Sequence, residues 1–126
     1  MRATIPTDVS IGISGDAVAA DALNAGCDTW YSVLGGTLPD PCRTIVDATR
    51  KGDSEKATAL SEGLLPLWDL FATYGSYRVV SAIAETLGLV DHPNLPRPVL
   101  GLGQTARAQV DTALSQLADL GHGANH

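Results

Sequence analysis

The chain has 126 residues, 44% of them hydrophobic, which suits one domain with a modest core and is too apolar for a disordered tail. Its formal net charge is −6, with 8 Lys and Arg against 14 Asp and Glu and no basic run. Nucleic acids and anionic membrane surfaces call for clustered cations, so neither is an expected partner.

No apolar stretch reaches the roughly 18 residues of a transmembrane helix. The opening MRATIPTDVS lacks the apolar centre of a signal peptide. Cys27 and Cys42 show neither metal spacing nor a disulfide framework. Reduced thiols in a cytoplasmic setting are therefore expected.

In chain order, Val9–Ser14 (VSIGIS) is a short apolar run ended by Gly15-Asp16 and reads as a buried strand. Asp16 is placed to cap a helix over Ala17–Asn24, which Gly26 stops. Thr29–Val33 is a second strand. Strand, helix and strand in so short a span form a βαβ crossover, which predicts parallel strands. Both strands are expected to be covered on both faces. Trp30 and Tyr31 read as core residues.

The rest of the chain reads as helical. Thr37 is placed to cap a helix with Pro39 in its first turn, running to Arg50 and ending at Gly52. Asp53 or Ser54 starts the next. Ala57, Leu60, Leu64, Leu67, Trp68 and Phe71 form one apolar stripe, which Pro66 should kink. Gly75-Ser76 separates it from a further stripe of Val79, Val80, Ile83 and Leu87, closed by Gly88. Residues 91–103, rich in proline and glycine, read as a loop, and Thr105–Leu120 as a final amphipathic helix. Two parallel strands alone leave both sheet edges open, the first sign that part of a larger sheet is missing.

Four features invite chemistry. GLGQTA at 101–106 loosely matches a dinucleotide fingerprint, but no strand precedes it, and a loop leading into a helix accounts for it. His122 and His126 lie beyond Gly121 in the tail, so no metal site is expected there. Asp16 is read two ways: as a helix cap, or as a group orienting a polar ligand at the C-terminal ends of parallel strands. Gly35 and Gly36 follow the second strand directly. They mark either a plain turn or a place where backbone approaches a ligand or takes positive φ. No catalytic triad spacing is present.

The segments GISGDA, NAGCDTWYSVLGGTLP, RKGDSEKA, LLPLWDLF, GSYRVVSAIAETLGLV and PRPVLGL occur in an order that resembles the C-terminal part of the dihydrodipicolinate synthase / N-acetylneuraminate lyase family. The resemblance runs from about Val9 to Leu120. It implies an α/β fold: a C-terminal fragment of a (β/α)8 TIM barrel, mostly helical by content. Val9–Ser14 would be strand seven and Thr29–Val33 strand eight. Residues 1–52 would form the last two βα units and residues 53–126 a C-terminal helical extension.

The resemblance also implies a class I lyase or aldolase. There a lysine on strand six forms a Schiff base with pyruvate or another 2-oxo acid, and no cofactor is called for. That lysine is not in this chain. Its two lysines, Lys51 and Lys56, flank a polar turn between helices. What the resemblance leaves here is a substrate-binding wall: Gly15 and Asp16, the Tyr31 carbonyl, and the turn through Ser32, Gly35 and Gly36. Ala17 stands where many synthases carry a second aspartate, Ala17 and Val18 replace the acidic pair of neuraminate lyases, and Gly36 replaces a common asparagine. These departures argue against sialic acid. GSYRVV favours a sugar-acid branch over a lysine-pathway synthase.

The expectation is a C-terminal portion that is inactive alone and prone to self-association through uncovered apolar surface. The alternative is a non-catalytic helical module for interaction or oligomerisation. A third possibility is a separate polypeptide supplying strands one to six.

Overall fold

The computed structural model describes residues 4–6, 8–91, 94–95 and 100–119. Two short strands, β1 (Gly12–Ser14) and β2 (Thr29–Tyr31), pair in parallel with Gly12 opposite Thr29, Ile13 opposite Trp30 and Ser14 opposite Tyr31. Both are shorter than the sequence suggested. At the entry, the amides of Asp28 and Thr29 donate to the Ile11 carbonyl at 2.7 and 3.2 Å. The Asp28 carboxylate accepts the Ile11 amide at 2.8 Å. At the exit the backbone leaves the extended region, at Gly15 (φ 136) and at Val33 (φ −76, ψ −44).

Burial on both faces does not hold. Ile13 and Trp30 are half-buried, whereas Gly12, Ser14, Thr29 and Tyr31 are exposed. Side chains alternate across a strand, and among the described residues helices cover only one face of the pair. Trp30 packs against the core, but Tyr31 is 66% exposed, contrary to its expected place in the core.

A single 3-10 turn, Asp16–Val18, follows β1 and leads into α1 (Ala19–Asn24). Gly15 holds the capping position and Asp16 makes no capping bond, so the expected N-cap role fails. A second 3-10 turn, Leu34–Gly36, follows β2 and leads to α2 (Pro39–Arg50). Thr37 does not cap α2 either. Its hydroxyl donates to the Leu34 carbonyl at 3.2 Å, and Leu38 occupies the cap. Pro39 opens the helix, where its missing N–H costs nothing.

The long apolar stripe is two helices rather than one kinked one: α3 (Ser54–Glu62) and α4 (Leu65–Tyr74). The chain breaks at Gly63–Leu64, which puts Pro66 in the first turn of α4, where no intrahelical donor is needed. Asp53 caps α3 by accepting the Lys56 amide at 3.1 Å. Gly75, at φ 90 and ψ 135, separates α4 from α5 (Ser76–Thr86). Then comes α6 (Gln104–Asp119). Described residues between Asp91 and Gly103 form neither helix nor strand. His92, Leu120, His122 and His126 lie outside the described residues.

The core is built from the helical stripes. Leu34, Leu38, Ile45, Leu64, Leu67, Val79, Ile83, Val110 and Leu117 are all essentially fully buried. Each such side chain contributes about 1.5–3 kcal/mol relative to exposure. α2 packs on α3, α4 on α5, and α6 against both α4 and α5, while α1 bridges the strands to α2 and α3. Among the described residues no helix is long and apolar enough to cross a membrane.

Candidate functional site

The residues singled out from sequence gather where the two strands end. Asp16 leads out of β1, and its carboxylate turns toward the segment leaving β2. One oxygen, Oδ1, accepts the Trp30 indole Nε1–H at 3.0 Å and the Val33 amide at 3.2 Å. The other, Oδ2, accepts the Ser32 hydroxyl at 3.1 Å and the Leu34 amide at 2.7 Å. Four donors fill the acceptor directions of one carboxylate. Asp16 is only 6% exposed. It is a latch holding the β2–α2 turn to the end of β1, and it presents no free oxygen to a ligand.

Ser32 extends the latch. Its Oγ accepts the Gly35 amide at 2.9 Å while donating to Asp16, and lies 3.5 Å from Cys42 Sγ. Burial pushes the Cys42 thiol up to about 11; the Ser32 hydrogen bond works against that rise and the nearby Asp16 carboxylate adds to it. Cys42 is thus held as a thiol, not a nucleophile.

The glycines serve different ends. Neither Gly35 nor Gly36 takes positive φ, so that reason for the pair fails. A Cβ at Gly35 would meet Ser32 Cβ at 3.3 Å, so this position is tight against the latch. A Cβ at Gly36 would meet nothing within 4 Å, which leaves the backbone there open to an approaching molecule. Tyr31 stands apart from the latch, on the exposed face of the strand pair. Beside Ala17 a hollow of about 140 Å³ has Asp21, Ser61, Glu62 and Trp68 in its walls.

Sequence reasoning missed Trp30 and Cys42 as parts of this cluster. Period-two alternation from Ile13 could have placed the indole on the helix side. Nothing local announced that the first turn of α2 would bring Cys42 to Ser32. Lys51 and Lys56 are both exposed, at the turn between α2 and α3. They share a groove with Thr44, Asp47 and Asp53 and take no part in the cluster. Among the described residues no three His, Cys, Asp or Glu side chains gather to hold a metal ion.

Parallel strands backed by helices, with their polar clasp at the C-terminal strand ends, define an α/β architecture of the kind that carries sites in its post-strand turns. Among the solved structures this chain superposes on are TIM-barrel synthases. One, the dihydrodipicolinate synthase of Agrobacterium tumefaciens, is 42% identical with a TM-score of 0.86, over 92% of this chain and 39% of that one. Another, the chloride-inhibited synthase of Acinetobacter baumannii complexed with pyruvate, shares the fold at 19% identity, with a TM-score of 0.76 over 87% of this chain and 38% of that one. Among curated proteins, the 4-hydroxy-tetrahydrodipicolinate synthase of Rickettsia rickettsii is 27% identical over 119 residues. The match takes in 94% of this chain and 40% of that protein.

The model of the dihydrodipicolinate synthetase family matches residues 1–117, and the chain belongs to that family. It spans about 40% of the length of the curated relatives it matches.

Proposed function

We infer that this chain forms the last two βα units and the helical extension of a Schiff-base lyase acting on pyruvate or a related 2-oxo acid. β1 and β2 correspond to strands seven and eight. Residues 1–52 complete the barrel wall and residues 53–126 form the extension. The observation that carries the reading is the clasp: two parallel strands whose C-terminal turns are fastened by Asp16, with helices on one face and the other face uncovered. In a barrel that uncovered face is the interior, and the turns after the strands border the site.

The chain supplies wall and not nucleophile. Imine formation needs an unprotonated amine, usually a lysine that burial or nearby charge has made less basic. Lys51 and Lys56 are exposed, in the groove between α2 and α3 and away from the strand ends. The chain alone is therefore inactive. The proposed substrate-facing elements are the Gly15 and Gly36 backbones, the Tyr31 carbonyl and the outer side of the Ser32–Gly35 turn. Asp16 acts behind them. A soluble cytoplasmic enzyme that needs no cofactor is the setting this reading implies.

Borohydride trapping tests it. Incubated with pyruvate and reduced, the chain alone should gain no pyruvyl mass. Joined to the part of the Agrobacterium tumefaciens synthase that it does not match, it should restore trapping on a lysine of that added part. Adduct on Lys51 or Lys56, or no trapping in the completed barrel, would overturn the reading. Until its interior face is covered, the chain should also self-associate: Tyr31 on that face is 66% exposed, and Val18 and Val33 in the turns beyond the strands are 52% and 40% exposed. Sedimentation velocity would show this.

A further inference from the structure

The face of the strand pair turned away from the helices carries an arrangement that the clasp does not use. Gly12, Ser14, Thr29 and Tyr31 all lie on it, because Ile13 and Trp30 point to the helix side. Tyr31 is the last residue of β2 and pairs with Ser14. Its ring does not stand up from that level. It leans across β1 onto Gly12, whose own partner, Thr29, lies two residues nearer the start of β2. A Cβ at Gly12 would collide with Cε2 of the ring, with Cδ2 at 3.2 Å and Cζ at 3.4 Å. Gly12 is thus a seat that only a residue without a side chain can offer. The ring is thus displaced from the C-terminal strand ends toward the start of β1, with its Cε2 edge against Gly12.

Taken with the assignment of this face to a barrel interior, on which the inference rests, the ring is a partition. Below it is the layer of side chains that fills a barrel; above it is the mouth where substrate sits. We propose that the Tyr31 ring, seated on Gly12, is the floor of the 2-oxo acid pocket and limits the length of the acid that fits. Its neighbours on this face, Ser14 and Thr29, are hydroxyls, and these four positions carry no charge. The face offers no cation to the carboxylate, and the ring is its one large apolar surface, so the ring meets the alkyl end of the acid.

The test uses the completed barrel with this full chain, reading borohydride-trapped imine against concentration of pyruvate and of its one-carbon-longer homologue, 2-oxobutyrate. One methylene in an apolar pocket discriminates by about tenfold or more. Tyr31→Ala should shift the ratio of apparent affinities toward 2-oxobutyrate by about tenfold. Tyr31→Phe, which keeps the ring, should leave the ratio unchanged. Gly12→Ala should lift the ring into the pocket and weaken both acids. Gly12→Ala combined with Tyr31→Ala should behave as Tyr31→Ala alone, because the clash is gone. Should Tyr31→Ala not fold by circular dichroism, Tyr31→Leu replaces it with the same expected direction. Trapping in the parent barrel with unchanged selectivity in the Tyr31 variants overturns the floor and spares the barrel assignment. Failure of the parent barrel to trap either acid overturns both.

Discussion

Asp16 Oδ2 accepts the Leu34 amide at 2.7 Å across a sequence separation of 18, and this bond ties the exit of one strand to the exit of the next. Three more donors share the carboxylate. Substituting Asp16 by Ala leaves four donors without their acceptor, the Leu34 amide in a buried bond and the others part-buried; a buried unsatisfied donor costs about 1–3 kcal/mol, and water should recover part of the rest. Urea denaturation should show a loss of about 2–4 kcal/mol for Asp16→Ala. Asp16→Asn should also destabilise, because its NH2 would face a donor. A loss below about 0.5 kcal/mol, typical of surface changes, would show that the latch carries no weight.

Cys42 gives a prediction with a definite sign. Its thiol ionises at about 11 in the folded chain against an ordinary 9.0. Below pH 9 both folded and unfolded chains keep the proton, and stability does not respond to this group. As pH rises from 9 toward 11, the unfolded chain releases the proton first, so stability falls, by an amount on the order of 2 kcal/mol. Comparing unfolding free energies of the parent and Cys42→Ala at pH 8 and pH 10.5 isolates this slope. Equal slopes would contradict it. For the same reason a thiol reagent at pH 8 should label half-buried Cys27 well before Cys42.

Two glycines should respond in opposite ways. Gly75 joins α4 to α5 at φ 90 and ψ 135, a conformation that a side chain strains against. Gly75→Ala should cost about 1–3 kcal/mol. Gly36 has no positive φ and open space around its missing Cβ. Gly36→Ala should change thermal stability little. If instead Gly36→Ala is the more damaging to the fold, the backbone description of the turn is wrong.

The cap at Asp53 is a smaller and independent effect. Asp53→Ala removes the acceptor for the Lys56 amide and should lower stability by about 1 kcal/mol, while Asp53→Asn should retain most of it. Thermal melts of the two variants decide the matter. Equal losses would assign the effect to charge at the helix start instead of to the hydrogen bond.

Much of the framework could be read from the sequence because its signals are local. Stripes at steps of three and four located the helices, and Val79, Ile83 and Val110 are indeed fully buried. The chain order of strand, helix and strand indicated a parallel pair. Other features depended on contacts distant in sequence. Asp16 looked like a cap because helix caps are local, whereas its partners lie 14 to 18 residues on. Tyr31 looked like a core residue because its apolar run suggested cover on both faces, whereas among the described residues helices cover only the face that carries Ile13 and Trp30. Pro66 was expected to bend one helix, but the Gly63–Leu64 break let it begin another.

The two indoles, each tied by its Nε1–H to a different part of the chain, have an optical consequence. Trp30 bonds to Asp16 in the strand clasp, and Trp68 bonds to Ser61 across the elbow between α3 and α4. Their emission therefore reports two separate neighbourhoods: Trp30 is half open to water and Trp68 nearly dry, at 5% exposure. With Trp30→Phe only the elbow glows, and with Trp68→Phe only the clasp does. A Trp30 emission shift at lower denaturant concentration than the Trp68 shift would mean that the α3–α4 elbow can stand while the strand pair has already come apart.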